Sequence, residues 1–257
     1  MTQTMIPDRW ELTIQLIEEH GSATVEQIAA AIGVSPATVR RDLARIHQRG
    51  LIKRTRGGAE PSLQNRARPS LAESRKINPG EKELIGRIAA ELIKSGDIVM
   101  IDGGFTTYQV AMNITAKDVT VITNSLDVVQ VLAGRDCIRL IIIGGELSVE
   151  SGTTTGQEAV HQILPMVADK AILGADAVSI EEGITAPFAL TAQAKKAMIQ
   201  CSRDLIVAAD YSKLGRSALY RVASAESITS LVTDDKADKN ILDAFRAAGT
   251  EVILASP

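Results

Sequence analysis

The chain has 257 residues, 45% of them hydrophobic, with 28 Lys/Arg against 31 Asp/Glu and a net charge of −3. That is enough chain for a sizeable core and two domains, and the charge excludes a protein that is basic throughout. No apolar run approaches the ~20 residues of a membrane span, and residues 1–10 lack a signal-peptide core, so a cytoplasmic protein is expected. The charge is segregated: residues 38–68 hold nine Lys/Arg against two acids, a patch suited to a phosphate backbone.

In chain order, the spacing predicts a first helix over residues 7–20, with Trp10, Ile14 and Ile17 inward and Gly21 as its stop. Arg9 on its first turn reads equally as a phosphate contact or a surface arginine. Thr24 and Gln27 have the spacing of a capping box. Val25, Ile28, Ala29 and Ile32 then make one face of a short helix that Gly33 ends. Ser35 can cap the next helix, Pro36 suits its first position, and Val39, Leu43 and Ile46 form its inward stripe. The opposite face carries Thr38, Arg41 and Arg45, with Ala37 and Gln48 beside them and Arg40 on the flank. Residues 51–58 read as a basic β-ribbon bent by glycine. Together these form a winged helix-turn-helix, the alternative being a helical hairpin with a solvated face. The expected DNA contacts are Ser35, Thr38, Arg40, Arg41, Arg45, Arg54 and Arg56, with Thr38 and Arg41 nearest the bases and Arg40, Arg45, Arg54 and Arg56 mostly on phosphates.

Residues 61–80, with three prolines by residue 79 and little apolar periodicity, read as a linker with room for a short helix. From residue 81 helices alternate with apolar strands, expected at 97–101, 119–123, 138–143, 170–173, 205–209, 230–233 and 251–254. The helices between are expected at 108–113, 125–133, 158–167, 192–202 and 239–248. This pattern predicts a largely parallel, open α/β sheet, domain boundaries of 1–60, 61–80 and 81–257, and a ligand site beyond the strand ends. Small and polar residues follow five strands in turn: Asp102, Gly104, Thr106 and Thr107 after the first, Asn124 after the second, and Gly145 after the third. Asp176 follows the fourth, and Lys213 the fifth. Glycines admit an anion to the backbone, hydroxyls donate to it, and a helix N-terminus favours it. Asp102, Asn124 and Asp210 also suit turn capping, and Lys213 a solvated loop. Cys137 and Cys201 read as buried thiols, and His20, His47 and His161 make no metal constellation.

The run VSPATVRRDLARIHQRGLIKRTRGGA resembles the N-terminal signature of the DeoR family of bacterial transcriptional regulators. The loops D-x-G-x-T-T, TNS, GG, GAD, Gly183-Ile184-Thr185 and D-x-SK-x-G resemble that family's effector domain, and Arg75 and Lys82 resemble residues of its domain junction. The resemblance implies a C-terminal fold like ribose-5-phosphate isomerase and the CoA transferases, and adds Thr185 to the expected effector ligands. It also implies a repressor of a carbohydrate catabolic operon, released from operator DNA by a phosphorylated sugar. Helix-turn-helix readers bind paired half-sites, so a homo-oligomer (dimer or tetramer) is expected, with no cofactor or metal. An isomerase-like enzyme with an accessory DNA-binding domain is the alternative; Asp102, Asp176 and Glu182 are the candidates for its general base. Two departures stand out. Phe105 replaces a small hydroxyl residue of D-x-G-[ST]-T-T, and the segment after Thr185 lacks the acids common there.

Overall fold

The computed structural model describes residues 6–20, 22–48, 52–61, 71–149 and 151–256. Gly21, Arg49, Leu51, Arg66, Arg68 and residues 62–70 of the expected linker lie outside the described residues. The chain divides into two compact units, Met1–Arg68 and Pro69–Pro257.

The first unit runs α1 (Ile6–His20), β1 (Ala23–Thr24), α2 (Val25–Ile32), α3 (Pro36–Gln48), β2 (Ile52–Thr55) and β3 (Gly58–Pro61), with an antiparallel sheet ordered β1-β3-β2. Its start signals work as the sequence predicts. The Gln27 amide donates to Thr24 Oγ1 at 3.2 Å and the Thr24 amide to Gln27 Oε1 at 2.8 Å, closing the capping box. Gly33 closes α2 in the left-handed region, at φ 73°. Trp10, Ile17, Val25, Ile28, Val39, Leu43, Ile46 and Ile52 are buried together as its core.

The second unit contains α4 (Leu71–Ser74), α5 (Pro79–Glu91), β4 (Ile98–Ile101), α6 (Phe105–Met112), β5 (Val119–Thr123), α7 (Leu126–Leu132) and β6 (Ile138–Ile142). Then come β7 (Glu146–Ser148), β8 (Thr153–Thr155), α8 (Gln157–Ile163), β9 (Ala168–Gly174), β10 (Ala177–Ser179), β11 (Gly183–Ala186) and α9 (Ala189–Gln200). It ends with β12 (Ser202–Ala208), β13 (Tyr220–Ala223), β14 (Ser230–Asp234), α10 (Lys239–Ala247) and β15 (Glu251–Ala255). Seven strands form one parallel sheet in the order β15-β14-β12-β9-β4-β5-β6. Alternate residues face opposite layers: Val99 and Ile101 pack with Ile85, Val110 and Val128 of α5, α6 and α7, while Met100 packs with Ile163, Met198 and Phe245 of α8, α9 and α10. After β4 the chain builds outward through β5 and β6. It then returns to β9 on the other side of β4 and builds outward again, so the strand order reverses between β4 and β9. The crevice of an open α/β sheet lies at such a reversal.

All seven expected strands are present. A hairpin of β7 and β8 and a small antiparallel sheet ordered β10-β11-β13 are additions to the predicted set. Segments of three or four residues such as ELS, TTT and AVS are too short to show a period. The two cysteines are free; Cys137 is exposed and Cys201 half-buried, so the expectation of two buried thiols fails at Cys137, which sits in the turn just before edge strand β6.

Candidate functional site

In the first unit, α3 turns Arg40, Arg41 and Arg45 outward, and Arg54 and Arg56 are exposed on the β2–β3 ribbon. The capping signals at its start explain why the helix begins where it does. Ser35 Oγ accepts from the Thr38 amide at 3.2 Å and shares a 2.9 Å hydrogen bond with Thr38 Oγ1. Both hydroxyls therefore fix the N-terminus of α3, with Thr38 only half exposed. Arg40 lies 3.6 Å from Glu26 in an exposed pair, worth little in free energy. His47 Nδ1 sits 3.0 Å from the Ile52 carbonyl, tying α3 to the ribbon. Arg9 has a structural partner: its Nε and Nη2 donate to Asp42 at 2.7 and 3.1 Å, and Trp10 Nε1 donates to the same carboxylate at 3.1 Å. Asp42 lifts the Arg9 guanidinium further above its already high pKa, chiefly by that hydrogen bond.

In the second unit, the residues after β4 and β9 meet. Asp102 is buried, and its carboxylate is held by the ammonium of Lys195, a lysine of α9 that is 1% exposed. Lys195 also donates to the Gly174 carbonyl at the end of β9, at 2.7 Å. One cation thus bridges the ends of both strands that flank the reversal. Beside it, Gly103 lets β8 close in: a Cβ there would lie 2.0 Å from Thr153 Cγ2. Thr106 and Thr107 are buried in the first turn of α6, and Thr107 Oγ1 donates to the Gly104 carbonyl at 3.0 Å. Gly104 is the N-cap and offers no side-chain cap, so the first amides of α6 are left to a ligand or to water.

At the end of β5, Asn124 Nδ2 donates to the Thr154 carbonyl at 2.9 Å, while its buried Oδ1 has no hydrogen-bond partner. Gly145, at φ 138°, passes so close to β8 that a Cβ would sit 2.5 Å from the Thr155 carbonyl. Asp176 is half-buried beyond β9. Two expected ligands have other surroundings. Thr185 Oγ1 accepts from the Ala218 amide at 2.7 Å and lies 3.5 Å from the Ala177 carbonyl, stitching the small sheet together. Lys213 belongs to a second cluster, where Lys82, 2% exposed, donates to the Ser74 carbonyl at 2.8 Å and stands 4.0 Å from Asp210. Asn78 Nδ2 donates to Asp210 at 2.8 Å. Burial lowers the Lys82 pKa; Asp210 opposes that shift and nearby Lys213 adds to it.

Lys195 was missed from the sequence. Its one signal is position: it falls on the inward face of α9 between Ala192 and Met198, where a charge needs a buried partner. A separate cavity of about 790 Å³ opens among α5, α6 and the ends of β14 and β15, lined by Glu81, Arg87, Gln109, Asp234 and Lys236 among others. None of the expected ligand residues lines it, and its Lys236 is paired with Glu81. At the β4/β9 reversal and the adjacent end of β5, the buried Asp102–Lys195 pair, the α6 N-terminus and the unpartnered Asn124 Oδ1 come from neighbouring strand ends. Among the described residues no helix is long and apolar enough to cross a membrane.

Comparison with known proteins agrees with both halves. Residues 9–64 match the DeoR-like helix-turn-helix domain, and residues 77–235 match the DeoR C terminal sensor domain. The chain is 33% identical over 247 residues to the HTH-type transcriptional repressor GlcR of Bacillus subtilis, covering 96% of this chain and 95% of that protein. It is 31% identical over 254 residues to a putative aga operon transcriptional repressor of Escherichia coli O157:H7, covering 96% and 93%. Among solved structures, a ribose 5-phosphate isomerase A from Methanocaldococcus jannaschii overlaps 53% of this chain and 55% of its own, at 18% identity and a TM-score of 0.39.

Proposed function

Because the chain belongs to the DeoR family of transcriptional regulators, we propose that it is a sequence-specific repressor of a carbohydrate catabolic operon, released from its operator by a phosphorylated sugar. The observation that carries this reading is the site at the β4/β9 reversal. Lys195 and Asp102 form its polar floor, α6 presents uncapped amides for an anion, and Asn124 Oδ1 awaits a donor such as a sugar hydroxyl. The protein is a regulator rather than an enzyme on this reading, cytoplasmic, and a homo-oligomer that matches paired half-sites with its own symmetry. A thermal-shift screen with sugar phosphates and free sugars tests it. A ligand at 100 times its dissociation constant adds about 2.7 kcal/mol of stability. If phosphorylated sugars leave both the melting temperature and operator binding unchanged, the effector assignment fails. The same panel should show no turnover.

On the DNA side, Arg41→Ala is expected to relax sequence preference and weaken operator binding by roughly 1–3 kcal/mol, as for loss of a bidentate guanine contact. Arg56→Ala, on the ribbon, should weaken specific and random DNA alike and flatten the salt dependence by about one unit. Equal losses on both kinds of DNA for the two variants would refute that division. On the ligand side, Thr106→Ala should leave operator binding intact without effector and raise the effector concentration needed for release. Unchanged release midpoints would put the effector elsewhere.

A further inference from the structure

We propose that Arg75 is the phosphate-binding arginine of this site, and that Asp127 holds it in reserve until a phosphate arrives; this rests on the phosphorylated-effector reading above. Arg75 Nη2 lies 3.4 Å from Asp127 Oδ1, in the first turn of α7, and its side chain remains 44% exposed. A single contact of that length is weak beside the shorter, two-pronged bonds that a guanidinium makes to an oxyanion.

The rest of the side chain is held in place. Its Cζ stands 5.2 Å from the ring centroid of Tyr108 and 5.9 Å from that of Phe105. Those rings stack on each other with centroids 5.7 Å apart and planes 15° from parallel. Phe105 and Tyr108 share one face of the first turn of α6, so the guanidinium lies on an aromatic shelf at the helix end whose N-cap, Gly104, has no side-chain partner. A planar cation already oriented there loses little freedom on binding. The buried, unpartnered Asn124 Oδ1 at the end of adjacent β5 independently marks this edge as one that lacks a hydrogen-bonding ligand.

Phe105 now has a role. It stands where the resembled motif carries a hydroxyl; in exchange for that donor the shelf supports a guanidinium with several. A phosphate dianion at the α6 amides offers Arg75 a doubly charged, bidentate partner in place of one carboxylate oxygen. A neutral sugar offers nothing to compete with Asp127.

Calorimetric titration of the full-length protein with inorganic phosphate tests this, using wild type, Arg75→Gln, Arg75→Lys, Asp127→Asn and the Arg75→Gln/Asp127→Asn double variant. Asp127→Asn is expected to tighten phosphate binding roughly tenfold by freeing the arginine, and Arg75→Gln to weaken it roughly tenfold or more. Arg75→Lys should fall between wild type and Arg75→Gln, and the double variant should match Arg75→Gln, because Asp127 acts only through Arg75. Unchanged or weaker binding by Asp127→Asn, or unchanged binding by Arg75→Gln, overturns the proposal. Melting curves matching wild type exclude misfolding as the cause of a loss. Operator release by sugar phosphates separates the two levels. Wild type that responds while Arg75→Gln responds at the same concentrations removes only the role of Arg75. Wild type that binds no phosphate and responds to none of them removes the phosphorylated-effector reading with it.

Discussion

Lys195→Met is expected to destabilise the C-terminal unit by about 3–5 kcal/mol, the range for removing one partner of a buried ion pair. The loss comes from what stays behind: Asp102, 4% exposed, is left buried without its counter-ion, and the Gly174 carbonyl loses its donor. Pairing Lys195→Met with Asp102→Asn should recover much of the loss, since the double variant buries no net charge. Denaturant unfolding of the two single variants and the double variant, arranged as a double-mutant cycle, reads this directly. A Lys195→Met protein that unfolds at the wild-type midpoint would show that the pair contributes nothing. Because Lys195 also shapes the floor of the site, the variant should lose effector response at temperatures where it remains folded.

The second large effect is expected at Asp42. The residue is 3% exposed and its carboxylate takes three hydrogen bonds, two from Arg9 and one from Trp10. Asp42→Ala leaves a guanidinium with little access to water and an indole N–H without its acceptor. A loss of about 3 kcal/mol follows, at the low end of the buried-pair range because Arg9 keeps 14% of its side-chain surface exposed. Trp10 is the chain's single tryptophan, so its fluorescence reports unfolding of the DNA-reading unit alone. Asp42→Ala should shift that transition to lower denaturant while far-UV circular dichroism retains a second, unshifted transition from the sheet unit. If the tryptophan transition stays in place, Asp42 is dispensable and Arg9 is free for another task.

The DNA-reading unit was legible because its signals are local. Thr24 with Gln27, Gly33, and Ser35 before Pro36 each fix a helix end within one turn, whatever surrounds them. The seven sheet strands were legible for a different reason: strands buried on both faces read as unbroken apolar runs. The small strands around Thr153 and Thr185 carry no such run: β7 with β8 and β10 with β11 are hairpins too short to show a period, and only the pairing of β11 with β13 is distant in sequence. The site was half legible. Asp102, Thr106 and Asn124 follow strands, where the chemistry of an α/β sheet belongs. Lys195 does not: it sits mid-helix in an alanine-rich segment, and only the packing of α9 brings its ammonium to Asp102. Phe105 was visible as a departure, but its purpose needs Arg75, thirty positions earlier, laid across its ring. Arg9 shows the opposite failure: it reads as a phosphate contact or a surface arginine, and its partner is an internal carboxylate.

The strand order also sets a sequence of events during synthesis. β5 and β6 each pair with the strand made just before them, so these three strands can assemble as they leave the ribosome. β9 must then find β4 across roughly 70 residues, a long loop to close and a slow step for a folding chain. Until it does, β4 shows the cell an unpaired apolar edge, and Asp102 waits for a lysine not yet translated. The Asp102–Lys195 pair is therefore among the last features to form, while the helix-turn-helix unit leaves the ribosome before it. A nascent chain stalled between those points carries a complete helix-turn-helix unit and a sensor domain whose buried aspartate still lacks its counter-ion.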